Sequence, residues 1–227
     1  MMTEVFPDVI QRLAERVRSL RGARALSLDT LASRSGVSRS MISLVERGES
    51  SPTAVVLEKL AAGLGVTLAA LFEVPTSSPS AAPHPLSRGV DQVEWKDLAS
   101  GYRRRNVSPP NVMPTLQIVE VHFPAGARVA FDTEMREASV WQQVWVLDGR
   151  MHITVGDDCH ELNAGDCLAM SLDMPRLFHN PTREASRYAV VLLTEAAPNV
   201  VRSTMAVSAR TRNAGGGQDD HISSTAR

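Results

Sequence analysis

Four residues in the stretch Leu28–Arg47, LDTLASRSGVSRSMISLVER, restrict the fold more than any other feature of the 227-residue chain. Ala32, Gly36, Ile42 and Val45 follow one another at spacings of four, six and three. Two short helices that cross tightly around a sharp turn need this pattern. A small residue lets the second helix approach, and a glycine ends the first helix at positive φ without a Cβ penalty. An apolar pair three apart then packs the second helix back onto the first. Ser27 and Ser38 stand where the two helices need N-caps, and Asp29 falls in a first turn, where the helix dipole favours an anion. The outer face of the second helix is left free, with dimensions that suit a DNA major groove.

The flanking residues extend the helical pattern. Val9, Leu13, Arg16, Val17 and Leu20 outline an amphipathic first helix. Ser51-Pro52 reads as a cap followed by a first-turn proline, opening a helix that carries Leu57, Leu60, Ala61 and Leu64. Leu68–Phe72 adds a short apolar turn, so the N-terminal part predicts a bundle of about five helices. The formal net charge is −1, far from the basic balance of a nonspecific nucleic-acid binder. Arg16, Arg18, Arg21 and Arg24 cluster beside the motif, as added phosphate contacts or as a solvated face.

The pairs Leu31-Ala32 and Gly36-Val37-Ser38, the run Ile42–Gly48, Pro52 and Leu64–Val66 together resemble the helix-turn-helix domain of the XRE (phage-repressor and Cro-like) family. The likeness covers roughly a third of the chain. It implies that Ser38, Arg39, Ser40, Ser43 and Leu44, at the start of the second motif helix, meet double-stranded operator DNA. Arg39 suits a bidentate bond to guanine O6 and N7, with a phosphate contact as the alternative. Arg47 positions the domain through a phosphate or through Glu46. The family often places a phosphate-binding Gln where this chain has Leu28, so Ser27, Arg34 or a backbone N–H must supply that anchor. A head with so little positive charge is expected to work as a homodimer on a two-fold operator.

Residues 74–90, VPTSSPSAAPHPLSRGV, lose every apolar period and read as a semi-stiff linker. The segment 208–227 lacks the apolar residues to order itself. Between them, residues 91–207 change grammar. Strand-like runs at Leu116–Phe123, Trp141–Leu147, Met151–Val155, Cys167–Ser171 and Tyr188–Thr194 alternate with glycine-containing turns. Short strands at this spacing predict an antiparallel sandwich or barrel. The expected architecture is an α + β chain: a phage-repressor-like helical head over 1–73 and an all-β domain over 91–207.

Pro124–Ala127, Val144–Gly149, Leu162–Asp166, Met174-Pro175 and Asn180 resemble the cupin family, a double-stranded β-helix or jelly-roll barrel, in the form attached to XRE-type regulators. Catalytic cupins hold a metal through two His and a Glu from one motif and a His from a second. The matching positions here are Met135, Glu137, Gln142 and Arg176. None carries its expected ligand, so no metal, cofactor or catalytic residue is implied. The resemblance instead implies a barrel-mouth pocket for a small effector. Arg176 would meet a carboxylate or phosphate, Glu137 an amine, and Met135 an apolar part, unless Arg176 and Glu137 simply pair with each other. His152, His160 and His179 lie off the motif positions. Trp141 and Trp145 alternate with Gln142 and Val144 and so face away from the pocket, toward core or a dimer interface. Cys159 and Cys167 read as packed, inert thiols, with a redox switch as the lesser alternative.

No secretory signal or membrane-length apolar run is present, which points to the cytoplasm. The combined expectation is an effector-responsive regulator of transcription. The alternatives are a constitutive repressor whose barrel only dimerises, and a cupin enzyme carried by a DNA-binding head.

Overall fold

The computed structural model describes residues 6–73, 84–132 and 139–195. Residues 74–83 of the expected linker, Met135, Glu137 and the segment 208–227 lie outside the described residues.

The helices form where their caps stand. Helix α1 spans Phe6–Ala23. Helix α2 (Leu28–Ser35) is capped by Ser27, whose side chain accepts from the Thr30 N–H, and it ends at Gly36 with φ of 66°. Helix α3 (Arg39–Glu46) is capped by Ser38, which accepts from the Met41 N–H. Helix α4 (Ala54–Gly63) departs from expectation at its start. The cap is Thr53, accepting from Val56 N–H, and Ser51 and Pro52 precede it. A tertiary partner fixes that start: the Asp97 carboxylate accepts from the Ala54 N–H at 3.3 Å, satisfying one orphan donor from outside the helix. The expected fifth helix is a 3₁₀ turn, Ala69–Phe72, too short for an α-helical ladder. The described residues of the head therefore hold four α-helices and this turn.

Leu31, Ile42, Leu57 and Leu60 are fully buried where α2, α3 and α4 meet. The close crossing of α2 and α4 depends on Gly63, because a Cβ there would lie 2.8 Å from the Ser35 Cβ.

The C-terminal part is antiparallel throughout the described residues. One sheet has six strands in the order β1 (Glu94–Lys96), β2 (Arg103–Asn106), β3 (Leu116–Phe123), β10 (Ser186–Glu195), β5 (Ser139–Asp148), β8 (Cys167–Ser171). The other has four, β4 (Arg128–Phe131), β9 (Arg176–His179), β6 (Arg150–Val155) and β7 (Asp158–Asn163). Every strand run read from the sequence is present. Missing from that reading were β1, β2, β4, β7 and β9, which are short or charged, such as Arg-Arg-Arg-Asn in β2. Tertiary pairing, not local pattern, makes them strands.

Strand β5 alternates cleanly: Val140, Gln142, Val144 and Val146 point inward, and Trp141 and Trp145 point out at 47% and 50% exposure. Of the two environments expected for these tryptophans, core or dimer interface, their exposure excludes the core. Cys159 and Cys167 are exposed free thiols, not packed ones, and their strands belong to different sheets.

One continuous apolar core runs through the helical head and the β domain. Its spine is a chain of rings, Phe72–Trp95–Tyr102–Phe123–Tyr188–Phe178–Phe131, with successive centroids 5.5 to 6.1 Å apart. Such spacing is within the favourable range for aromatic pairs. Polar bonds flank this spine. Asn106 donates to the Ala69 carbonyl at 2.9 Å, Thr67 and Gln117 bond each other, and Gln117 also donates to Glu73. No helix of the described residues is long and apolar enough to cross a membrane.

Candidate nucleic-acid interface and barrel cavity

The inner face of α3 is committed to packing: Ile42 and Val45 are 0% and 1% exposed. Its outer face is open. Leu28, Arg39, Ser40, Ser43, Leu44 and Arg47 line one surface depression of about 630 Å³. Five of the residues expected to meet DNA thus share one concave face. Ser38 and Ser27 are exposed at helix starts, but their hydroxyls serve as caps, at 3.2 Å from the Met41 N–H and 3.0 Å from the Thr30 N–H.

Both arginines of the depression are held by exposed anions. Arg39 lies 3.2 Å from the Asp29 carboxylate, with both side chains more than half exposed. Arg47 donates to the Ser43 hydroxyl at 2.7 Å and to Glu49 at 2.8 Å. The hydrogen bond from Arg47 holds Glu49 below its usual pKa. Glu46, the expected alternative partner of Arg47, belongs to Arg21 instead, at 2.6 and 2.8 Å. The hydrogen bond to Glu46 outweighs desolvation and raises the Arg21 pKa.

The basic cluster on α1 works mainly inside the fold. Arg18 donates to the Glu46 carbonyl, and Arg16 binds the Ala70 carbonyl and Glu73 at 3.0 and 3.1 Å. Arg24 donates to Leu20 at 3.3 Å. Together with Arg21, the bonds of Arg16 and Arg18 brace α1 against α3 and the 3₁₀ turn. Arg18 and Arg24 are exposed, so the reading as a solvated face holds for part of the cluster. Burial raises the Glu73 carboxyl pKa, against the opposing effects of Arg16 and Gln117.

The β domain holds a cavity of about 70 Å³ lined from both sheets. Gln142 and Arg176, the two motif positions that are described, both line it and are 8% and 4% exposed. Met135 and Glu137 fall outside the described residues, so the pairing of Arg176 with Glu137 is not part of this description. Arg176 has a different anion. Its Nη2 donates to Glu58 of α4 at 3.2 Å, and its Nη1 donates to the carbonyls of Leu172 and Met174 at 3.0 and 3.1 Å. Its guanidinium also stands 5.7 Å from the centre of the Phe131 ring.

Glu58, Thr67 and Leu68 of the head complete the cavity wall. Tyr102 lines the same space, and burial pushes its hydroxyl pKa up to about 12, so it stays protonated. Sequence reasoning missed Glu58. The signal was there: a carboxylate in AVVLEKLAAG, four residues after buried Ala54 and three before buried Ala61, needs a partner.

The off-motif histidines do not converge. His152 and His179 meet edge to face at 5.9 Å across β6 and β9, while His160 lies on β7. Burial, then the nearby Arg128 and His152, lower the His179 pKa. Among the described residues no three His, Cys, Asp or Glu side chains are placed to share a metal ion.

Comparison with known proteins matches the head first. Residues 17–71 fit the helix-turn-helix family HTH_3. The HTH-type transcriptional regulator SutR of Escherichia coli K12 is 26% identical over 168 residues, which cover 74% of this chain and 86% of that protein. The crystal structure of an HTH_3 family transcriptional regulator from Vibrio cholerae aligns with a TM-score of 0.66 and 25% identity. That alignment covers 84% of this chain and 99% of the other, so it spans head and barrel together. Residues 17–71 are a helix-turn-helix DNA-binding domain of the XRE type, and the chain that carries them is a homologue of the HTH-type transcriptional regulators.

Proposed function

We propose that the chain is a homodimeric regulator whose head, residues 1–73, reads a two-fold operator, and whose cupin-type jelly-roll barrel, residues 91–207, dimerises and binds a small anionic effector. Residues 74–90 link the two, and 208–227 form a tail.

The observation that carries the DNA reading is the shared depression of Arg39, Ser40, Ser43, Leu44 and Arg47 on the outer face of α3. Arg39 supplies base readout, Ser40 and Ser43 reach bases or phosphates, Leu44 meets a thymine methyl, and Arg47 sets the register. Ser27 and Ser38 offer the capped helix starts to phosphates. The dimer reading rests on exposed apolar residues gathered on the outer face of the six-stranded sheet. Trp141 and Leu193 are directly paired there, and Trp145 and Ile118 lie nearby. Contiguous apolar exposure of this kind marks an interface. Binding rather than catalysis is supported by Gln142 and Arg176 at the positions where catalytic cupins keep metal ligands. Arg176 and Gln142 orient the effector from the cavity wall, with Met135 and Glu137 completing the site.

The test is a footprint on the DNA upstream of the chain's own gene, with fluorescence anisotropy of the protected fragment. A protected two-fold sequence with half-sites about one helical turn apart is expected. Equal affinity for scrambled DNA would refute the reading. A screen of amino acids, polyamines and organic acids for altered affinity tests the effector arm.

A further inference from the structure

The DNA-binding head supplies part of the cavity wall, through Glu58, Thr67 and Leu68. Among the described residues the charged ones in its wall are Arg104, Arg176 and Glu58. Arg104 is 7% exposed, and its buried Nε has no hydrogen-bond acceptor among the described residues. A buried guanidinium short of an acceptor disfavours the empty site and favours an added anion. The remaining wall is largely apolar, with Val121, Val129, Phe131, Phe178 and Leu192 among its members. The volume of about 70 Å³ holds about five to seven water-sized groups, at 10–15 Å³ each. An anion with a short alkyl tail fits that size and that lining.

We infer that the Glu58 carboxylate is an internal stand-in for the effector's own carboxylate. A small aliphatic carboxylate entering the cavity takes Arg176 from Glu58 and so unlatches α4 from the barrel. This deepens the effector reading above and rests on it. The exchange is chemically even, one carboxylate for another on the same guanidinium, while the tail of the newcomer gains an apolar wall. Glu58 sits on α4, which packs against α2, and α2 packs against α3, so its release reaches the recognition helix through α2. The ligand has unequal affinity for the latched and unlatched arrangements, which is the requirement for control. Other junction bonds, among them those from the Ala54 N–H to Asp97 and from Asn106 to the Ala69 carbonyl, keep the head attached while it shifts.

The test titrates the full chain calorimetrically with propionate, butyrate and valerate. Butyramide serves as the uncharged isostere and inorganic phosphate as the tailless anion. Glu58→Gln removes the competing charge and keeps the shape, so butyrate should bind it about ten-fold or more tightly than the wild type. Arg176→Gln should abolish binding. Without ligand, Glu58→Gln should shift operator affinity in the direction that butyrate shifts the wild type. Equal binding of butyrate to wild type and Glu58→Gln overturns the latch, as does butyramide matching butyrate. Preference for phosphate overturns the ligand class. If Arg176→Gln does not fold, the butyrate–butyramide comparison on wild type decides alone. If another compound shifts operator binding while Glu58→Gln gains nothing, the latch falls and the effector reading stands. If the carboxylate exchange occurs and operator affinity never moves, the effector reading falls instead.

Discussion

The pair of Arg176 and Glu58 allows the junction's energetics to be measured, because its two halves respond differently to loss of the partner. Their side chains are 3% and 8% exposed and 3.2 Å apart. Removing one member of a buried ion pair costs about 3–5 kcal/mol, whereas replacing both with apolar residues is often neutral or favourable. Arg176→Met leaves a buried carboxylate deprived of this guanidinium, so its cost should sit near the high end, about 5 kcal/mol. Glu58→Leu leaves a guanidinium that retains the carbonyls of Leu172 and Met174 and the face of Phe131. Its cost should therefore sit near the low end, about 3 kcal/mol. The double variant, with neither member of the pair left, should recover most of either loss. Urea unfolding of the four proteins measures all of this. An Arg176→Met penalty smaller than that of Glu58→Leu, or a double variant as unstable as the two singles combined, would refute the reasoning.

Three further outcomes are expected. Arg39→Ala should weaken operator binding by about 1–3 kcal/mol and relax preference at one base position, read by anisotropy against single-base variants. Its exposed bond to Asp29 is worth at most about 1 kcal/mol and does not offset that loss; uniform weakening across sequences would make Arg39 a phosphate contact. Gly63→Ala should destabilise by about 1–3 kcal/mol in chemical denaturation, since the added Cβ meets the Ser35 backbone at 3.1 Å and must part α2 from α4. Glu120 supplies the pH dependence: burial alone would raise its pKa, but hydrogen bonds from Arg187 and Arg105 hold it below 4.5. Its contribution is thus present above pH 4.5 and lost as the pH falls through the folded value, so Glu120→Gln should flatten the acid limb of the stability curve.

Legibility in the sequence followed the range of the interactions. The helix-turn-helix could be read because its determinants are local: a cap at Ser27 or Ser38 bonds a backbone N–H three residues on, and Gly36 sets its own φ. The long strands could be read because alternation along β5 or β10 is a property of one segment. The start of α4 could not be read correctly, since Asp97, forty-three residues away, accepts from its first N–H. Strand β2 was missed for the same reason: three consecutive arginines and an asparagine carry no strand signal until β1 and β3 pair with them. The bracing role of Arg16 and Arg21 could not be read because their acceptors, Glu46, Ala70 and Glu73, come from other elements.

By itself, the sequence determined that this chain carries a helix-turn-helix whose second helix keeps a free outer face, and that Gln142 and Arg176 stand where the cupin resemblance expects metal ligands. Both are matters of residue identity at fixed local spacing. Only the tertiary structure decided that the barrel closes against the head and that Arg176 finds its anion in Glu58, 118 residues earlier in the chain. A buried charge must find its counter-charge wherever the fold provides one, and one-dimensional order does not say where that will be.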